Sequence, residues 1–397
     1  MNFPVMSPKS DTRSRGVHLD NLRCLVYRPH MKPFTFHLPT KIIFGKGRIA
    51  ELGSSLDPQF RRILIVTDEN VAAKSPAVRA VAAQLKNRQI SLFQNVAENP
   101  TFSNIQEGCR LAREARTELV VGVGGGSAMD AAKGISFLAA NPAEEHRLRS
   151  GEIPGKRPLP IVCVPTTSGT GSEVTPYAVF TDTENHNKIG YSNPALFPFL
   201  SVIDPEMTYT MPEPVIVNTG LDALTHALES FLSEQTFWLN DILALHVIDI
   251  ILWNLKRAVQ RNSEAMDKLS YASLSAGINI THGGTILLHI MGYCLTVFHG
   301  LPHGKANAVL LPSFLDFMMA KSSAKEKVRK TNEFFEPFGG VREFIEGLGI
   351  STHLSSYGIR EEEFGTFVKK VIVKSDVKIT PAPVGEQDIF DIYHSAL

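Results

Sequence analysis

The sequence predicts an α/β N-terminal domain built on a mostly parallel sheet, joined to an all-helical C-terminal domain. Short β-rich runs alternate with helix-period segments between Arg61 and Thr167, a pattern that buries a parallel sheet under helices on both faces. Beyond about Asp204 the strand patterns give way to long apolar helical repeats. At 397 residues the chain is also too long for a single small core, and two domains of ordinary size fit it better.

The elements follow in order. Residues 1–30 have no sustained apolar period and read as a flexible extension, so the folded body is expected to begin near Met31. KPFTFHLPTKIIFGKG reads as an alternating strand closed by a glycine turn. RRILIV, Arg61 to Val66, is a strand, and TDEN after it supplies the turn and cap of a helix through Ala72 to Leu85. QISLFQNV is the next strand and TFSNIQEGCRLAREA the next helix. ELVVGVGGGSAMDAAKGISFLAA gives strand, glycine turn and a helix from near Ser127, and LPIVCVPTT is a further buried strand. The proline-marked TYTMPEP places the junction between Val202 and Pro214, dividing an α/β unit at 31–210 from a helical unit at 211–397. Helical period then runs through IVNTGLDALTHALESFLS, LNDILALHVIDIILWNLKRAV, AMDKLSYASLSAGINI, ANAVLLPSFLDFMM and AKEKVRKTNEFFEPF.

Composition narrows the function. Forty basic residues balance forty acidic ones, so the overall charge calls for neither nucleic acid nor an anionic membrane, and a small partner is expected. Cys24, Cys109, Cys163 and Cys294 are scattered and lack CxxC spacing, which argues against a disulfide framework and for a reducing, cytoplasmic setting. The run LLHIMGYCLTVF is interrupted by His289 and Gly292 and is too short to span a bilayer, so a soluble protein is expected.

Two constellations carry chemistry. GVGGGSAMD, Gly122 to Asp130, follows a strand and opens a helix; without Cβ atoms the backbone approaches a ligand closely, and the free N–H groups at the helix start favour pyrophosphate oxygens. Alone this is a weak signal, since a tight strand-to-helix turn with no ligand also produces it. PTTSGTGSEVT, Pro165 to Thr175, adds hydroxyls and bare amides at a neighbouring strand end, so the two stretches can share one dinucleotide. Asp68, just after RRILIV, either accepts hydrogen bonds from an adenosine ribose or caps the following helix; in the first role its charge favours NAD over NADP. In the helical half, Asp222 and His226 stand four apart and leave one helix face, while His289 and His303 follow downstream, which makes a divalent-metal site the leading reading. Each has an ordinary structural alternative as a cap, core or surface residue, and spacing alone does not exclude His282 or His299. Glu229 could share the metal-facing side of the helix, and Lys188, with His186, could meet a phosphate or substrate or lie in solvent.

FGKG at Phe44, TDEN at Thr67, GVGGGSAMDAAK at Gly122, PTTSGTGSEVT at Pro165, DPE at Asp204, DALTHALE at Asp222 and PHGKANAVLLP at Pro302 together make the chain resemble the iron-containing (group III) alcohol dehydrogenases, of the dehydroquinate synthase-like superfamily. These stretches span almost everything after Met31. The resemblance implies NAD(P) and one divalent metal in a cleft between the two domains. It assigns Gly124, Gly125, Gly126, Ser127, Asp130, Thr166, Thr167 and Ser168 to the cofactor and Asp222, His226, His289 and His303 to the metal, with Fe(II) expected and Zn(II) or another divalent transition metal acceptable to the same donors. The implied reaction is hydride transfer between a nicotinamide and a small alcohol, aldehyde or ketone, in a homodimer or higher homo-oligomer. A polyol dehydrogenase, a maleylacetate reductase or a nucleotide-binding protein without turnover are the alternatives.

Two positions depart from the family pattern. Tyr293 replaces a second histidine four residues after His289, and Thr380, Pro381 and Ala382 stand where relatives often carry an NPR-like turn. Tyr293 and His299 are the candidates for proton transfer, although a phenol is a poor base at neutral pH unless its pKa is depressed. Leu287, Leu288, Ile290, Leu295, Val297 and Phe298 around the third ligand point to a small apolar or weakly polar substrate.

Overall fold

A computed structural model describes residues 31–144, 157–184 and 187–397; the extension expected at 1–30 and His186 lie outside the described residues. Strands β1 (Lys41–Phe44), β2 (Arg62–Val66), β3 (Gln89–Phe93), β4 (Leu119–Gly124), β5 (Ile161–Pro165) and β8 (Leu200–Ile203) form one six-stranded sheet in the order β1-β8-β5-β4-β2-β3. Every pairing in it is parallel. Successive residues of β2 and β4 feed opposite cores: Leu64, Val66 and Val120 pack on one face, Ile63, Ile65, Val121 and Val123 on the other. Burial on both faces explains why these strands read as continuous apolar runs.

Helices α1 (Glu69–Lys74), α2 (Ala77–Gln84), α3 (Phe102–Glu114) and α4 (Gly126–Ala140) connect the strands. The single helix expected over Ala72 to Leu85 is instead two, because Ser75, with ψ at 146°, takes the extended conformation that a following proline favours. The long strand expected from KPFTF onwards shortens to β1, with residues 31–40 lacking regular structure. An antiparallel hairpin, β6 (Tyr177–Asp182) with β7 (Asn187–Ser192), and β8 were not anticipated.

The helical half comprises α5 (Glu213–Leu232), α6 (Trp238–Val259), α7 (Ser263–Gly283), α8 (Leu287–His299), α9 (His303–Lys321), α10 (Lys325–Phe335), α11 (Val341–Glu346), α12 (Phe364–Val371) and α13 (Glu386–Ser395). They share one large core. α5 runs through its centre, and every residue from Gly220 to Leu232 is buried, so the polar side chains of Asp222, His226 and Glu229 must find partners inside the protein or cost several kcal/mol, of order ~2–7 for an unpaired polar group. Among the described residues no single helix is long and apolar enough to cross a membrane.

Candidate active site

One cavity of 1320 Å³ runs from the carboxyl ends of β2 and β4 to the middle of α5. Strand order turns between β2 and β4, which is where an open parallel sheet leaves a crevice for ligands.

Its first wall is the start of α4. Gly125 is the N-cap and offers no side-chain acceptor to the helix's first N–H groups. A Cβ on Gly126 would lie 2.6 Å from Thr170 Cγ2, so only the bare backbone fits there. Asp68, Gly125, Gly126, Ser127, Asp130, Thr166 and Thr167 line the cavity, joined by Thr170. Asp68 does cap α1, since its Oδ1 accepts the Val71 N–H at 3.0 Å, and it also borders the cavity; the two alternatives read from the sequence do not compete.

Three of the residues expected at the cofactor have other partners or surroundings in this structure. Ser168 is buried and shares a 3.1 Å hydrogen bond with Ser270 of α7 rather than lining the cavity. Gly124 sits behind the turn, with its φ of 155° and no room for a Cβ beside Ala128. Asp130 has both oxygens engaged, accepting from Ser172 Oγ at 2.6 Å and from the Val179 N–H at 2.9 Å. Beside it Lys133, fully buried, donates to the carbonyl oxygens of Ser172, Thr175 and Tyr177 at 2.8, 3.0 and 2.6 Å. Asp130 and Lys133 therefore tie α4 to the segment leading into β6 and hold the cavity wall in place.

The second wall assembles the ligand candidates from three helices. Asp222 and His226 leave one face of α5, His289 lies in the first turn of α8, and His303 opens α9. Gly304 permits the last: a Cβ there would meet the Asn218 carbonyl at 1.9 Å, so α9 can abut α5 only with glycine at that contact. One donor atom each of Asp222, His226 and His289 lies within 4.8 Å of the other two. His289 Nε2 is 3.7 Å and His303 Nε2 3.9 Å from Asp222 Oδ1. Asp222 Oδ1, His289 Nε2 and His303 Nδ1 are buried without any hydrogen-bond partner. Buried N and O donors gathered around Asp222 Oδ1, with Asp222 Oδ1 and His289 Nε2 left without hydrogen-bond partners, are what a divalent cation requires, so these residues fit one.

The protonation of His226, His303 and Asp222 agrees with that fit. Burial pushes the His226 imidazole down to about 4 and the His303 imidazole well below its ordinary range, which leaves lone pairs to donate. Burial alone would raise the Asp222 carboxyl, but the surrounding imidazoles of His226, His303 and His289 hold it well below the usual carboxylate range. His289 differs: burial opposes its charge, yet Glu229 and Asp222 on either side raise it to about 10, so ligation through Nε2 requires a cation to displace the hydrogen held there.

Tyr293 lines the cavity beside His303, with ring centroids 5.0 Å apart. Burial, then the nearby Asp376 carboxylate, push its phenol well above the ordinary value, so it keeps its proton and serves as a donor rather than a base. His299 does not reach the cavity. Ten residues past His289 on α8, it meets Glu363 Oε1 at 2.8 Å on the outer side. His282 bonds the Ile278 carbonyl at 2.8 Å and takes no part either.

The substrate end is more polar than the sequence suggested. Leu287, Leu288 and Leu295 are fully buried in the helical core, and Val297 and Phe298 do not border the cavity; of the six apolar neighbours only Ile290 does. In their place stand Thr285, Ser375 and Asp376, with Thr285 Oγ1 donating to Asp376 Oδ1 at 3.3 Å and Ser375 Oγ to Oδ2 at 3.1 Å. Lys188, on β7, is 6% exposed and lines the same end, its Nζ 5.4 Å from the Tyr293 ring centroid. Burial lowers its ammonium to about 8 against the pull of Asp222, Asp130 and Glu98. The alternation in YAVFTD and the polar TENHN turn were the signal that could have located this hairpin. Nothing local links Thr285 to Asp376.

Comparison with known proteins gives a consistent picture. The family model for iron-containing alcohol dehydrogenase matches residues 39–205, and that for the C-terminal part of the Fe-containing alcohol dehydrogenase family matches 216–397. Alcohol dehydrogenase 4 of Schizosaccharomyces pombe is 30% identical over 375 residues, covering 91% of this chain and 89% of its own length. The 1,3-propanediol dehydrogenase of Citrobacter freundii is 30% identical over 383 residues, covering 91% and 98%. The crystal structure of an iron-containing alcohol dehydrogenase from Thermotoga maritima superposes with a TM-score of 0.84 at 34% identity, covering 92% of this chain and 99% of that one.

Proposed function

The chain belongs to the iron-containing alcohol dehydrogenase family, and from that premise we propose which of its residues carry the reaction. It is a metal-dependent, NAD(P)-linked oxidoreductase of small alcohols and aldehydes. Asp222, His226, His289 and His303 hold the divalent cation in this reading, Fe(II) by family and Zn(II) or another transition metal by donor chemistry. Residues 31–210 take the cofactor and 211–397 the metal and substrate. Held in the cleft, a cation would supply Lewis acidity toward a substrate hydroxyl or carbonyl, and a nicotinamide would supply or accept the hydride.

The chain's own residues do the rest. The bare N–H groups at the start of α4, with Ser127 and Thr167, receive the pyrophosphate oxygens. Asp68 accepts from the adenosine ribose and repels a phosphate on it, which favours NAD over NADP. Asp222 supplies fixed negative charge, and Tyr293, kept protonated, donates a hydrogen bond to the substrate oxygen. The observation that carries this reading is the trio of buried donor atoms within 4.8 Å in the same cavity as the open helix start. Stripping cations with a chelator, restoring each one separately and following nicotinamide absorbance with NAD(H) and NADP(H) tests it. Turnover should vanish on stripping, return with a divalent ion and run faster with NAD(H); full activity without any cation would end the reading.

The Thr285, Ser375 and Asp376 wall favours a substrate with a second hydroxyl, a diol or hydroxyaldehyde, over a simple alkanol. A half-buried carboxylate with spare lone pairs rejects a methyl group and accepts an O–H. Comparing kcat/KM for 1,3-propanediol and 1-propanol decides it, and a preference for 1-propanol would return the reading to apolar alcohols. A cytoplasmic homodimer completes the proposal; the open edges β1 and β3 and the exposed Trp238, Leu239 and Ile242 on α6 offer surfaces for a second copy, which light scattering would detect.

A further inference from the structure

We propose that Glu229 is a positioning residue for the cation site, acting through His289 by fixing which ring nitrogen is free to ligate. The inference rests on the metal reading above and extends it to a residue that does not line the active-site cavity and is not among the clustered donors.

Glu229 lies three residues past His226 and seven past Asp222 on α5, on the same helix face, and is fully buried. Its carboxylate stands behind His289. Oε1 accepts the backbone N–H of Ile286 at 2.9 Å and of His289 at 3.2 Å, and Oε2 meets His289 Nδ1. A carboxylate in this setting accepts and does not donate, so the hydrogen between them sits on Nδ1. The Nε2 atom then points at Asp222 Oδ1, 3.7 Å away, buried and without a hydrogen-bond partner. The hydrogen on Nδ1 is the one Glu229 holds; Nε2 is the position a cation takes. The opposite tautomer would set a lone pair against a carboxylate and place a hydrogen where the ligand bond must form.

The three imidazoles differ in this respect. His226 Nδ1 faces the Gly169 carbonyl at 3.3 Å, a neutral acceptor, and His303 Nδ1 is buried with no partner. His289 is the one backed by a carboxylate, which strengthens its remaining nitrogen as a donor and fixes its ring plane. Glu229 has a second task that must be separated from this one. Ile286 is the N-cap of α8 and brings no side-chain cap of its own, so Glu229 Oε1 satisfies the first N–H groups of the helix on which His289 and Tyr293 ride.

Glu229→Gln separates the two tasks. The amide oxygen still accepts the two backbone N–H groups, but the NH₂ group then faces Nδ1, donates to it and drives the ring hydrogen onto Nε2. Glu229→Ala removes both functions. The measurements are the melting temperature of the chelator-stripped full chain and its dissociation constant for Zn(II), from competition with a chromophoric chelator. We expect E229Q to melt with the wild type while binding Zn(II) about 10- to 100-fold more weakly, and E229A to lose ground in both. E229Q with wild-type affinity for Zn(II) overturns the proposal. Wild-type protein that binds no Zn(II) removes the metal reading itself, and Glu229's role with it. Should E229Q fail to fold, nitrogen-15 histidine spectra of the Zn(II)-loaded wild type give the answer: a downfield, slowly exchanging Nδ1–H signal for His289 supports the assignment, and its absence overturns it.

Discussion

The cofactor wall of the cavity comes from short stretches of chain at neighbouring strand ends, whereas the metal wall is gathered from α5, α8 and α9, between Asp222 and His303. At the first wall the working parts are backbone N–H groups, set by a strand that ends, a glycine turn and a helix that begins. At the second they are side chains that would be costly burdens singly, buried donors left unpaired in a helical core. The first wall is sensitive to added atoms and the second to lost charge or orientation. Perturbing one should leave the other working.

The largest effect is expected on the metal side. Asp222→Asn keeps the shape and removes the charge, so turnover should fall by at least about 10³-fold and the bound cation be lost, while NAD affinity holds; metal analysis alongside calorimetric NAD titration checks both. Retained cation in D222N would break the division of labour.

Next comes the seam between the walls. Glu173, 2% exposed in the short turn packed against α7, has its carboxyl pushed by burial from 4.5 up to about 7, against the pull of Lys133. A raised carboxyl pKa means the folded state holds its proton longer than the unfolded chain does. Its stability contribution is complete below about 4.5, falls as pH rises and has lost about 3 kcal/mol once pH passes 7. Thermal melts of wild type and Glu173→Gln should therefore diverge with rising pH, the variant gaining; parallel melts would show that Glu173 titrates normally.

On the cofactor wall, Gly126→Ala sets a methyl against Thr170. NAD affinity should fall about 10- to 100-fold, with Zn(II) affinity unchanged, and a loss of cation in G126A would show that the walls are coupled. Smallest of all is Tyr293→Phe. It forfeits one hydrogen bond, for an expected drop of about fivefold in kcat/KM, and leaves the basic limb of the pH profile where it was. Disappearance of that limb would make the phenol a base after all.

The two walls also differ in how far they could be read ahead of the structure. β2, β4 and β5, α3, and the glycine turn were legible because each is specified by neighbours in sequence. So was the pairing of Asp222 with His226, one helical turn apart. The hairpin carrying Lys188, the wall of Thr285 and Asp376, the diversion of His299 to Glu363 and the turning of Ser168 toward Ser270 were not, since each depends on which face of one element meets another.

By itself, the sequence determined the α/β and helical halves, the glycine turn and the set of polar residues buried along α5. Periodicity and turn chemistry act over a few residues, and a chain carries that information wherever it folds. The tertiary structure decided which of those polar residues meet. Only the packing of α8 and α9 on α5, through Gly304 and the Glu229 cap, sets His289 Nε2 and His303 Nε2 at 3.7 and 3.9 Å from Asp222 Oδ1. Such convergence depends on distances between elements far apart in the chain, and no local pattern encodes those distances.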